Sequence, residues 1–164
     1  MKKLNNKGFT LIELLAVIVV LAIIMVVTIP TVLNAMDKAK ENQLQNAADS
    51  VEEWFEKQYE LAAMGDFAGG ADQTLQAWIT TAYGSDKNYT SLSTQKSFGT
   101  SDQAKTLLKV AGISNADKSI DLANSSVQYN ETTHKMCIKL RAKSGGSFYN
   151  STDSTKNNKN SSGC

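Results

Sequence analysis

Between Phe9 and Ile29 the chain runs for 21 residues with only three polar side chains, Thr10, Glu13 and Thr28. Folded as a helix at 1.5 Å per residue, this stretch spans about 31 Å, the thickness of a bilayer core. The other end is its converse: from Asn150 to Cys164 no apolar residue larger than the terminal Cys occurs. Averaged over 164 residues the composition is ordinary, with 41% apolar and 20% charged residues and a net charge of +1. The segregation along the chain nevertheless excludes a single soluble globule.

Lys2, Lys3 and Lys7 precede the apolar run directly. A positive flank stays cytoplasmic, so the remainder is directed outward. A cleaved secretory signal starts in the same way but needs a small-x-small site beyond its apolar segment, and the stretch Thr28 to Met36 offers no convincing one. A plain single-pass anchor also fits the hydropathy. One His and two Cys, with no acidic pair clustered near them, provide no metal-ligand spacing, no nucleophile, base and acid set and no glycine-rich phosphate loop. The chain is accordingly read as no enzyme, with no catalytic residues, no metal and no cofactor.

Neither a signal nor a plain anchor explains Glu13, because an acidic side chain in a transmembrane helix costs up to about 3 kcal/mol near its centre and marks function by default. It lies only four residues inside the apolar boundary, where a carboxylate snorkelling to the surface is the simpler alternative. The run Lys7-Gly8-Phe9-Thr10-Leu11-Ile12-Glu13-Leu14-Leu15 resembles the processing site of type IV pilins and related pseudopilins, and the match extends through the apolar run to Pro30. The resemblance implies that a prepilin peptidase cuts between Gly8 and Phe9, that the new terminus at Phe9 is N-methylated, and that the apolar segment is retained. It also implies self-assembly into a helical homopolymer through Phe9 and Glu13, with the inner-membrane pilus assembly machinery as further partner. The subunit would be held in the cytoplasmic membrane before assembly and then sit in an extracellular pilus on the cell surface. The short leader and the Phe after the cut look like the type IVa branch. Minor pilins and the pseudopilins of type II secretion or competence share the same features.

The implied fold is α+β: a long N-terminal helix, membrane-spanning in its first half, packed against a small antiparallel β-sheet head. The segments expected are a leader at 1–8, a transmembrane and assembly helix at 9–29, an amphipathic helix at 30–64, an αβ-loop region at 65–112, and a β-sheet region closed by a disulfide at 113–164. Pro30 removes a backbone donor and clashes with the carbonyl four residues back, so a kink or local unwinding is expected over Val26 to Ile29. Past Pro30, Leu44, Ala47, Ala48, Val51, Trp54, Phe55, Tyr59 and Ala62 recur with helical period, while Glu41, Gln45, Asp49, Glu52, Glu53, Glu56 and Glu60 fall mostly on another side. The aromatics are expected in the head core, and the helix is expected to end near Gly65.

Later signals are weaker. Gly69-Gly70 reads as a turn, Asp72 to Tyr83 as a short helix burying Leu75, Trp78 and Ile79, Gly84 to Thr100 as loop, and Ser101 to Ala111 as a helix capped by Ser101. Strands are expected at Val127 to Tyr129, Lys135 to Arg141 and Ser147 to Tyr149, with Ile120 to Leu122 as a fourth. Alternation puts Cys137 on the polar face of its strand. A Cys137–Cys164 disulfide would then strap the polar tail across the outside of the sheet, worth roughly 3.5 kcal/mol in the chain-entropy model; two surface thiols are the alternative.

Charge is also segregated. Residues 37–66 hold eight acidic and three basic side chains, and residues 132–164 one acidic and six basic. Stacking of acidic helix on basic sheet or tail between neighbours in a head-to-tail array is one use of this pattern, and two solvated faces are the other. The basic end, Lys135, Lys139, Arg141, Lys143, Lys156 and Lys159 with Phe148 and Tyr149, raises DNA as a partner in an uptake machine. Five Asn-x-Ser/Thr tripeptides, starting at Asn88, Asn124, Asn130, Asn150 and Asn160, match glycosylation acceptors but are expected by chance in so Asn-rich and Ser-rich a chain.

Overall fold

The computed structural model describes residues 9–64, 70–85 and 87–164. Lys2, Lys3, Lys7 and Gly8, and Gly69 of the expected turn, lie outside the described residues. The chain divides into two units, Met1–Lys38 and Ala39–Cys164. Helix α1, Leu11–Ala63, contributes to both.

In the first unit every described residue from Phe9 to Met36 is exposed. The helix here is long and apolar enough to cross a membrane. Pro30 lies inside α1, and of the two alternatives, kink or unwinding, the single chain keeps Val26 to Ile29 helical. The missing proline donor removes one bond of the ladder, and the bonds on either side still hold the turn.

In the second unit, Leu44, Ala48, Val51, Phe55 and Ala62 form the buried stripe of α1, at the spacing that keeps one helix face toward a core. Helix α2, Gly70–Tyr83, adds Leu75, Trp78 and Ile79. Phe55 lies edge-on to Trp78 at 6.2 Å between ring centroids and 6.0 Å from Phe98. The Trp78 indole N–H donates to the Phe98 carbonyl at 2.9 Å, so the largest buried side chain leaves no polar atom unmet. Helix α3, Asp102–Val110, begins with Ser101 Oγ accepting the Ala104 N–H at 3.2 Å. It ends where Gly112 takes φ +104°, with Ile113 N–H on the Leu108 carbonyl and Gly112 N–H on that of Lys109. That pair of bonds is a Schellman closure, which a residue with a Cβ would strain. A four-residue helix α4, Ala116–Ser119, follows.

The sheet has four antiparallel strands in the order β1-β2-β3-β4: Lys96–Ser97, Ser126–Asn130, Lys135–Arg141 and Asn158–Asn160. Met136, Ile138 and Leu140 of β3 are buried, and Val127 of β2 with them. The fold is therefore α+β and pilin-like, a long apolar N-terminal helix with a small antiparallel sheet. Two strands lie where the pattern placed them and two do not. Ser147 to Tyr149 is turn, and Phe148 and Tyr149 pack against the core. Ile120 makes a single bridge to Ala142, and Leu122–Asn124 is a 3-10 turn. The region Gly84 to Thr100 is not plain loop: it contains a 3-10 turn at Tyr89–Ser93, strand β1, and the fully buried Leu92 and Phe98.

The polar tail is built by side chains standing in for backbone partners. Asn150 Oδ1 accepts the Thr152 N–H at 3.0 Å, the Thr152 hydroxyl at 2.8 Å and the Asp153 N–H at 3.0 Å. Asn157 closes on Asn150 in both directions, at 2.7 and 2.9 Å. Asp153 repeats the arrangement on Thr155, and Asn88 on Thr90. The Asn-x-Thr tripeptides at Asn88 and Asn150 are thus turn-forming devices, and Asn150 is only 1% exposed.

Candidate functional site

The first turn of α1 explains how a carboxylate is accommodated at the edge of the apolar run. Thr10 precedes the helix, and its Oγ1 accepts the Glu13 N–H at 3.3 Å. Glu13 Oε2 reaches back to accept the Thr10 N–H and the Thr10 hydroxyl, each at 2.8 Å. This is a reciprocal capping box, which satisfies donors that a helix start otherwise leaves open and sets a negative charge at the positive end of the helix dipole. The pattern Thr10-x-x-Glu13 carries this signal in the sequence. In the sequence Glu13 reads as a snorkelling side chain or, by resemblance, as an assembly residue, which misses Thr10, the residue that holds it here. Phe9 itself stands ahead of the helix and is 90% exposed.

Along this segment a family model, the prokaryotic N-terminal methylation motif, matches residues 3–29. The chain carries the N-terminal methylation motif characteristic of type IV pilins. The match covers the basic start, Gly8, Phe9, Glu13 and the apolar run, and stops one residue before Pro30. No curated protein and no solved structure matches the chain. The methylation motif therefore speaks for the N-terminal segment, and the head must be read from its own geometry.

A second constellation joins the C-terminus to α1. Cys137 and Cys164 form a disulfide across 27 positions of sequence. The tail does not cross the outer face of the sheet as expected; it becomes the edge strand β4, paired with β3 through Lys139↔Asn160, Leu140↔Lys159 and Arg141↔Asn158. Nor is the disulfide its only anchor. Lys159 Nζ meets Glu41 Oε1 at 2.5 Å, with Lys156 Nζ 3.9 Å from the same carboxylate. Ser162 donates its N–H to Asp49 at 3.1 Å and its hydroxyl to Glu52. Gln45 bridges Asp49 and the Asn160 carbonyl. Glu52, expected on a solvated face, is 4% exposed. Gly163 fits so closely that a Cβ there would run into the Met136 carbonyl and the Glu52 carboxylate.

This arrangement answers the charge segregation within a single chain. Part of the acidic helix face and part of the basic tail neutralise each other inside the second unit. The cations considered for DNA are reduced accordingly. Lys156 and Lys159 serve Glu41 and Arg141 lies 4.0 Å from Asp121, whereas Lys143 donates to the neutral Asp117 carbonyl at 2.7 Å and keeps its charge. Lys135 and Lys139 remain on the outer face of β3, on the side opposite Met136, Ile138 and Leu140. Phe148 and Tyr149 are partly buried against the core, so they are not presented as stacking platforms. Among the described residues no group of three or more His, Cys, Asp or Glu is placed to hold a metal ion.

Proposed function

We propose that this chain is a pilin, a structural subunit that polymerises through its apolar N-terminal helix into a type IV pilus. The observation that carries the reading is the methylation motif over residues 3–29 running without interruption into an exposed apolar helix with Glu13 in its first turn. Leader residues 1–8 are removed between Gly8 and Phe9, and Phe9 becomes a methylated terminal amine. The exposed apolar face needs cover in each state: lipid before assembly, and the helices of other copies afterwards. Cleavage creates a cation at Phe9. In a staggered bundle, Glu13 of one subunit neutralises the amine of its neighbour where either charge alone would be expensive. The prepilin peptidase and the membrane assembly machinery are the partners such a route requires.

N-terminal sequencing of mature protein tests the first step, with Phe9 expected at position one; a start at Met1 or beyond Pro30 overturns the reading. Glu13→Ala tests the second. This variant should insert in the membrane and fold its head normally, yet fail to enter filaments when it is the sole subunit. Normal filament yield would return Glu13 to its capping role alone. Mass spectrometry of sheared surface filaments separates a dominant subunit from a minor pilin or a pseudopilin.

A further inference from the structure

The last residues have no apolar side chain to hold them, yet Asn157 and Ser161 are 4% exposed. Three carboxylates on one face of α1, at Glu41, Asp49 and Glu52, supply much of what holds them. We propose that residues 157–163 form an acid-released strap, clasped to α1 by these carboxylates in their ionised form and, when they are protonated, freed along its length while the Cys137–Cys164 bond keeps its end tethered.

The geometry makes each clasp contact charge-assisted. Glu41 takes Lys159 and Lys156, Asp49 takes the Ser162 N–H and the Gln45 amide, and Glu52 takes the Ser162 hydroxyl. Such bonds are about twice as strong as neutral ones and weaken when the carboxylate gains a proton. The other charged groups around the strap do not replace them. From β3 these are Lys139, opposite Asn160, and Arg141, which faces Asp121. From the preceding turn they are Asp153 and Lys156, 4.0 Å apart. Glu56, one turn beyond Glu52, accepts the Met136 N–H at 3.2 Å and so fixes β3.

The direction of the pH effect follows from Glu41. The hydrogen bond from Lys159 holds its carboxyl below the ordinary value of 4.5, against some desolvation and with help from the charges of Lys159 and Lys156. A group whose folded pKa is depressed contributes fully above its unfolded value, and its contribution disappears as pH falls through the folded value. The strap is therefore closed at neutral pH and opens in acid, as pH falls through the lowered value of Glu41. Opening would break Ser161 N–H to the Ile138 carbonyl at 2.8 Å, Ile138 N–H to Ser161 Oγ at 3.0 Å and Ala142 N–H to the Asn157 carbonyl at 2.8 Å.

Hydrogen exchange of the full chain in neutral detergent micelles, corrected for the intrinsic pH dependence of exchange, tests the proposal. Between pH 7 and about pH 2.5, well below the ordinary carboxylate range, peptides covering 157–163 should lose at least about tenfold in protection while α3 keeps its own. Glu41→Gln combined with Asp49→Asn and Glu52→Gln should show the loss already at pH 7. Lys159→Met keeps all three carboxylates and should move the opening to higher pH. Unchanged strap protection in acid overturns the proposal. So does simultaneous loss in the strap and α3, because acid would then be unfolding the head as a whole. If the triple variant does not fold, the exchange of the original protein and of Lys159→Met decides.

Discussion

Replacing Cys137 and Cys164 together by alanine removes a cross-link between positions 27 residues apart. In the chain-entropy model, closing a loop of this size restricts the unfolded chain by about 3.5 kcal/mol at 25 °C. The native tail keeps its other anchors: the β4 ladder, the Lys159–Glu41 pair, and Ser162 on Asp49 and Glu52. The loss should therefore arise through the unfolded state, with the tail still seated at neutral pH. A unit extending from Ala39 to Cys164 has an unfolding entropy near 0.26 kcal/mol per kelvin, so the loss corresponds to a fall of about 13 °C in Tm. Tryptophan fluorescence of the full chain in detergent measures it cleanly, because Trp54 and Trp78 both lie in that unit. A fall of less than about 3 °C would refute the reasoning, since the bond would not be constraining the unfolded chain as the entropy model requires. Loss of folded head at 25 °C would refute it from the other side, because the remaining anchors would then be insufficient.

Gly163→Ala should displace the strap, since the new Cβ meets the Met136 carbonyl and Glu52; faster exchange at Ile138 and Ser162 than in the original protein is the readout. Trp78→Phe removes the indole N–H from the Phe98 carbonyl and leaves unfilled volume in the core. A loss of about 2–4 kcal/mol in denaturant unfolding is expected. At the N-terminus, Gly8→Leu should block processing, and intact-mass measurement should then find the uncut chain retained in the membrane fraction.

What the sequence disclosed depended on apolar period. The apolar run, the α1 stripe through Leu44, Val51 and Phe55, the Leu75-Trp78-Ile79 face of α2, and the alternation of Met136, Ile138 and Leu140 all rest on burial of apolar side chains, and all were legible. Ser101 before α3 was legible for the equally local reason that it satisfies a backbone group at a helix start. Strand β4 was not, because Asn158, Lys159 and Asn160 have no alternation to detect. It is held by its ladder to β3 and by polar contacts of Lys159 and Asn160 with Glu41 and Gln45, more than a hundred positions earlier. The assignment of Ser147 to Tyr149 as strand failed for the converse reason: Phe148 and Tyr149 do contact the core, but from a turn. At the candidate site, the methylation motif over residues 3–29 was legible by resemblance, whereas Thr10 required attention to the capping pattern that surrounds Glu13.

The charge pattern illustrates why segregation along a sequence does not identify the partner. Residues 37–66 and 132–164 carry opposite excesses that invite an intermolecular reading, yet Glu41, Asp49 and Glu52 of the first meet the tail of the second within one folded unit. Glu41 and Lys159 are 118 positions apart in sequence and form an ion pair. A charge committed to its own chain is a weak source of attraction for a neighbour, because a new partner must first break or share the existing pair. The exposed apolar helix has no such commitment: among its residues from Phe9 to Met36, none is buried in the single chain. Glu13 differs from both cases. It is held by Thr10 in the same chain, yet cleavage at Gly8 would create a full positive charge four residues away, a stronger partner than a hydroxyl and an amide. In the proposed assembly, the stagger of the helices decides whether that amine belongs to the same chain or to its neighbour. Mixing Glu13→Ala subunits with original ones should therefore disturb filament register and leave the folded heads, whose charges are satisfied within each chain, unchanged.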